Sequence, residues 1–195
     1  MKKIFLALGF SFLLVLWVFA YDTIDLQSAN YLAGKWYIVD NSSAPDSYRL
    51  WDSITRKEIM KVIAKIGWAV PVDNCSGKFS DVGSDWGCKY IEWALGQGII
   101  AANPTFRPDD NITKAEAIKM ILKVKNIANT YNGGVWQENY MGTAYDKCIV
   151  SSTKNYNQNA QRSFIFNAAY SSENTTICDP NAEIDNILKD LTGIL

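Results

Sequence analysis

The stretch "ITRKEIMKVIAKI", residues Ile54–Ile66, returns 58 positions later as "ITKAEAIKMILKV", residues Ile112–Val124. Each reads as a capped amphipathic helix. Thr55 with Glu58, and Thr113 with Glu116, have capping-box spacing: the Thr hydroxyl accepts the third amide of the helix and the Glu carboxylate reaches back to the cap amide. Ile54 is placed to staple against Ile59, and Ile112 more weakly against Ala117. Ile59, Val62, Ile63 and Ile66 recur at helical spacing, as do Ala117, Met120, Ile121 and Val124, so each helix has one stripe to bury. The residue after each Thr is the puzzle. Arg56 and Lys114 place a cation in the first turn, where the helix dipole is already positive, at a cost of a few tenths to about 1 kcal/mol.

The register extends upstream, with Tyr48, Arg49 and Asp52 matching Phe106, Arg107 and Asp110. A fainter third copy, "YNQNAQRSFIFNAAYSS" from Tyr156, aligns 48 positions after the second. It keeps an aromatic, the cation (Arg162) and an apolar face (Ile165, Ala168, Ala169), but loses the Thr and the Glu. Ahead of the copies lie three further helical stretches, "NYLAGKWYIV", "KYIEWALGQGII" and "NYMGTAYDKCIV", each ending in an apolar pair. A unit of helix, loop and helix of roughly 50 residues cannot bury its own stripe, so copies must pack on one another. The expected fold is all-α: a pseudo-threefold bundle of units at 21–74, 75–131 and 132–178. Residues 179–195, "DPNAEIDNILKDLTGIL", add a C-terminal amphipathic helix with Asp179 as N-cap and Pro180 at its first position. Ile184, Ile187, Leu188 and Leu191 form its stripe, which either docks on the core or meets a partner.

Residues 1–20, "MKKIFLALGFSFLLVLWVFA", read as a secretory signal peptide cut after Ala20, with a retained membrane anchor as the alternative. An exported protein at the cell surface is therefore expected, touching membrane only through an uncut signal. Without Lys2 and Lys3, 17 basic residues face 20 acidic ones, a balance that argues against nucleic-acid binding. Histidine is absent from the chain, which removes the usual acid–base residue at neutral pH and the commonest metal ligand. Asp109 and Asp110 beside Asn111 suit a turn and cap better than a calcium loop. Glu92 and Glu138 have no partner with which to form a catalytic dyad. A non-catalytic protein with no metal and no cofactor is expected. In an exported chain the four cysteines read as disulfides. Of three connectivities, Cys75–Cys88 with Cys148–Cys178 closes the shortest loops. Asn41, Asn74, Asn111 and Asn174 begin glycosylation sequons, a weak signal here.

One segment resembles a known family. "FSDVGSDWGCKYIEWALGQGIIAANPTFRPDDNITKAEAIKMILKV" has the order Phe-x-Asp-Val, Trp, Tyr-Ile, Gly-Ile-Ile, Phe-x-Pro-Asp and Ile-Thr-Lys-Ala-Glu of the S-layer homology (SLH) domain. The first unit is similar from its apolar pair onward but lacks the Gly before it. The third has Cys148 at that Gly and "AQRS" in place of the Thr-Arg-Ala-Glu motif. The resemblance implies three SLH motifs whose intervening grooves bind anionic cell-wall polysaccharide non-covalently, often a polymer bearing ketal-linked pyruvate. It also implies ligand contacts at Arg56, Lys114 and Arg162, and matches the family's Phe-x-Asp-Val aspartate to Asp81. Lys114 keeps the charge of the family's Arg without its planar fork.

Residue chemistry adds a separate argument for an anion site. A helix start offers unpaired amide hydrogens, so an anion shared with the adjacent cation would offset its dipole penalty. The competing expectation is local pairing of Arg56 with Asp52 and of Lys114 with Asp110. Arg162 has no equally placed acid, which favours it for an open site. Trp51, near the Arg56 cap, and Trp136, at the start of the third unit, are candidate sugar platforms. The expected partner is thus an anionic wall polysaccharide. The alternative is an assembly role in which the C-terminal helix grips a surface-layer or appendage protein.

Overall fold

The computed structural model describes residues 24–39, 48–71 and 75–174. The signal peptide, the expected C-terminal helix, Cys178, Asn41 and Asn74 lie outside the described residues. The described chain is all-α, with three isolated β-bridges and no strand. Its helices are α1 (24–34), α2 (Arg56–Ile66), α3 (Cys88–Gly96), α4 (Lys114–Val124), α5 (Trp136–Asp146) and α6 (Arg162–Glu173).

Both repeated phrases are helices with complete capping boxes at Thr55 and Thr113. Gln161 stands at the equivalent position of α6 with the same extended backbone but no side-chain cap. Backbone bonds close a ring between the three units just ahead of these helices. Ile54 N–H donates to Ala160 O, Ala160 to Ile112 O, and Ile112 to Ile54 O, at 3.0, 2.8 and 3.2 Å. One turn further in, Arg56 N–H donates to Asp110 O, Lys114 to Gln158 O and Arg162 to Asp52 O. Lys57, Ala115 and Ser163 repeat the pattern onto Pro108, Tyr156 and Leu50. Ile54, Ile112 and Ala160 are essentially fully buried on this axis. The first two amides of each inner helix are therefore spent on the neighbouring unit's loop. This corrects the expectation that they stand open to an anion.

Helices α2, α4 and α6 pack mutually as an inner ring. The outer helices α3 and α5 pack on the preceding unit's inner helix rather than on their own. Among the described residues α3 meets α2, and α5 meets α4, whereas α3 makes no contact with α4. The ring closes through α1 and α6: Tyr31 stacks edge-on to Tyr170 at 4.9 Å, and Asn167 Nδ2 donates to Asp25 Oδ1. Glu173 at the end of α6 binds all three units, accepting from Tyr31 and Tyr37 hydroxyls and facing Lys125 Nζ at 3.7 Å. Burial, with the Glu173 carboxylate next in effect, pushes the Tyr37 phenol up to about 12.

The turn after each outer helix is left-handed at Trp36, Gly98 and Cys148, with φ of 61°, 67° and 51°. These residues are equivalent, since the next amide donates back to Leu32, Ala94 and Ala144 respectively. Trp36 thus occupies the position of the Gly thought missing from the first unit, and the apolar pair there is Tyr37–Ile38. A disulfide joins Cys75 to Cys88. Cys148 is also disulfide-bonded, and no described cysteine is free.

Candidate functional site: three interunit clefts

Among the described residues, three of the clefts between units each have one first-turn cation in their lining. The cleft between the first and second units, about 350 Å³, is lined by Arg56, Phe106, Glu116, Lys119 and Trp136 among others. That between the third and first, about 280 Å³, includes Arg162, Tyr48, Glu58, Lys61 and Arg49. The third, about 660 Å³ between the second and third units, includes Lys114, Lys154, Phe164, Asn167 and Ser152.

The floors differ in chemistry. Arg56 Nε donates to Phe106 O at 2.9 Å and its Nη1 meets Glu116 Oε1 at 3.1 Å. Arg162 repeats this on Tyr48 O and Glu58 Oε1, at 2.9 and 3.2 Å. Each capping Glu therefore works twice, one oxygen holding its own Thr and the other the neighbouring unit's Arg. Burial pulls both guanidinium groups below their ordinary values, while the facing carboxylates act the other way. They remain charged, because arginine is not deprotonated in proteins. The expected local pairs do not form: Asp52 holds Arg49 at 2.6 Å and Asp110 faces Arg107 at 3.6 Å. Arg162 is likewise not open, because its acid comes from another unit.

Lys114 has no such partner among the described residues. Unit equivalence puts Phe164 where the other units have Glu58 and Glu116, and Lys114 Nζ lies over that ring, 5.3 Å from its centroid. The aromatic at the loop position also differs. Matching backbone bonds make Tyr156 equivalent to Pro108 and Leu50, so Lys154 stands where Tyr48 and Phe106 stand elsewhere. The expectation of a retained aromatic at Tyr156 is thus corrected. Sequence reasoning passed over Lys154 and Phe164. Both stand 48 residues after their counterparts, Phe106 and Glu116, but differ from them in chemistry and so carry no repeat signal.

Of the remaining candidates, Trp136 forms a wall of the first–second cleft, with Lys119 Nζ 4.6 Å from its ring centroid. Trp51 is exposed and lines none of the three clefts; its carbonyl accepts from Gln161. Asp81 likewise lies outside them. Its carboxylate takes the amides of Phe106 and Arg107 at 2.8 and 2.7 Å and so shapes the loop. Burial pushes that carboxyl up, but the two amides outweigh it and hold it below its ordinary value. Glu92 and Glu138 are not idle on a solvated face: Glu92 ties Ser76 and Lys78, and Glu138 accepts from Tyr156. Among the described residues no cluster of three His, Cys, Asp or Glu side chains is placed to hold a metal, and no helix is long and apolar enough to cross a membrane.

Residues 78–118, the outer helix of the second unit, the loop after it and the first part of α4, match the model of the S-layer homology domain. The chain is also similar to the Middle cell wall protein of Brevibacillus brevis, 27% identical over 125 residues. That match takes in 61% of this chain but only 12% of the relative.

Proposed function

We propose that the protein holds non-covalently to the cell envelope, without catalysis, by taking acidic wall polysaccharide into the clefts between its units. The carrying observation is that each cleft holds a first-turn cation, Arg56 and Arg162 paired with a neighbouring unit's Glu and Lys114 without a carboxylate partner among the described residues. The SLH match over 78–118 and the likeness to a cell wall protein support the same reading. Reading the first and third units as further SLH copies belongs to this proposal, as does the place of Trp136 as a sugar platform. Asp81 acts in it by shaping the loop, and Trp51 has no part. Sedimentation with purified cell walls tests the reading. Binding is expected to walls carrying their acidic secondary polymer and to fall when that polymer is stripped by acid; equal binding to stripped walls would overturn it.

A second reading, assembly with a surface-layer protein, is favoured by one feature. Trp36, Trp68 and Val70 are 83%, 72% and 93% exposed on the first unit. Co-purification with a surface protein, lost when Trp36 and Trp68 are both changed to Ser, is the outcome this reading requires.

A further inference from the structure

We infer that ligand recognition is concentrated in the cleft between the second and third units, where Lys114 and Lys154 form a paired ammonium site for the carboxylate of an acidic sugar. This rests on the envelope-anchoring reading above and says which cleft performs it. Two exchanges relative to the other units create the site. Glu58 and Glu116 are replaced by Phe164, which removes the carboxylate that faces the cation in the other two clefts, and Tyr48 and Phe106 are replaced by Lys154, which brings in a second cation. Neither lysine has a carboxylate partner among the described residues. Among the described residues no Asp or Glu lines this cleft, whereas Glu116 and Glu58 line the other two.

An anion entering either of the other clefts meets a carboxylate and an Arg already bound to it. Displacing that pair would leave a part-buried Glu unpaired, which is costly. Other cations there are partly committed or confined. Lys123 Nζ donates to Gly98 O at 2.8 Å, and Lys119, over Trp136 and Tyr140 as Lys114 is over Phe164, shares its cleft with the Glu116 carboxylate. Lys61 remains in the third–first cleft, which is the smallest at about 280 Å³ and contains Glu58. The second–third cleft, at about 660 Å³, has room for a sugar ring, an apolar wall at Ile149, Val150 and Phe164, and hydroxyls at Ser151 and Ser152. Apolar walls with a few convergent polar groups are the usual make-up of a small-ligand site. Two lysines supply point charges without a fixed fork, so the site selects negative charge more than carboxylate orientation.

The test is affinity for walls bearing the acidic polymer, compared between the unaltered protein and three variants. Lys154→Glu reverses an exposed charge in the cleft. Phe164→Glu restores opposite Lys114 the carboxylate found in the other units. Lys147→Glu makes the same charge change as the first at an exposed residue outside the clefts. The first two are expected to weaken binding by about tenfold or more, the size of one charge-assisted contact, while Lys147→Glu leaves it unchanged. Wild-type affinity in Lys154→Glu and Phe164→Glu, or an equal loss in Lys147→Glu, overturns the inference. Should Phe164→Glu fail to fold by circular dichroism, the exposed Lys154→Glu decides alone. Indifference of the unaltered protein to polymer stripping overturns the anchoring reading itself, a result distinguishable from failure of the variants.

Discussion

Arg56 and Arg162 look misplaced on their own helices and are well placed on the next unit's. Each closes two bonds across a unit boundary, one to a loop carbonyl and one to a capping Glu. Arg162→Ala is therefore expected to cost about 2–3 kcal/mol, because two hydrogen bonds of its guanidinium are lost and bonds involving charge are worth about 1.5–3 kcal/mol. Denaturant titration reads this as a lower midpoint with an unchanged slope. Lys114→Ala removes no such pair and should shift that midpoint little. Trp36 presents the opposite case, a side chain 83% exposed on a left-handed backbone where the second unit has Gly98. A non-glycine residue there costs about 1 kcal/mol, so Trp36→Gly is expected to raise the melting temperature by a few degrees. A fall would mean that Trp36 packs more than its exposure indicates.

At the scale of elements, carboxylates tie the second unit together and hold it to the first. Asp81 holds the amides of Phe106 and Arg107, Asp85 pairs with Lys57 at 2.8 Å and caps Gly87, and Glu92 holds Ser76 and Lys78. For all three, burial raises the carboxyl and hydrogen bonding outweighs it, so each lies below its ordinary value. A depressed folded value means stability that is present above the unfolded value, near pH 4, and lost as pH falls through the folded one. Residues 75–107 are thus expected to lose amide-exchange protection below about pH 4 before α4 does. Simultaneous loss would contradict local control by these groups. Helix α4 depends instead on its cap, and Thr113→Ala should cost about 1 kcal/mol.

At the scale of the molecule, sequence units and packing units are offset. Helix α3 belongs to the same phrase as α4 but packs on α2, and α1 closes the ring on α6. Each phrase taken alone lacks the helix that covers its outer one. A peptide of residues 78–118, although it spans the matched domain, is accordingly expected to show little helix by circular dichroism. The longer chain should unfold in one transition, because every inner helix start is bonded to a neighbouring loop. A folded 78–118 peptide would contradict this account of the core.

The sequence by itself determined the starts of α2 and α4 and their buried stripes, because capping and helical periodicity are set by residues within four positions of one another. Arg56, Lys114 and Arg162 could be singled out from it, but not their partners. Glu116 is 60 residues from Arg56, and Glu58 is 104 from Arg162. Only the tertiary structure decided which cations are spent. The hydrogen-bonded ring about Ile54, Ile112 and Ala160 brings one unit's first turn against the next unit's cap, and there Glu58 and Glu116 neutralise an Arg. Phe164, at the same place, leaves Lys114 with its charge, and the fold brings Lys154 to the same cleft.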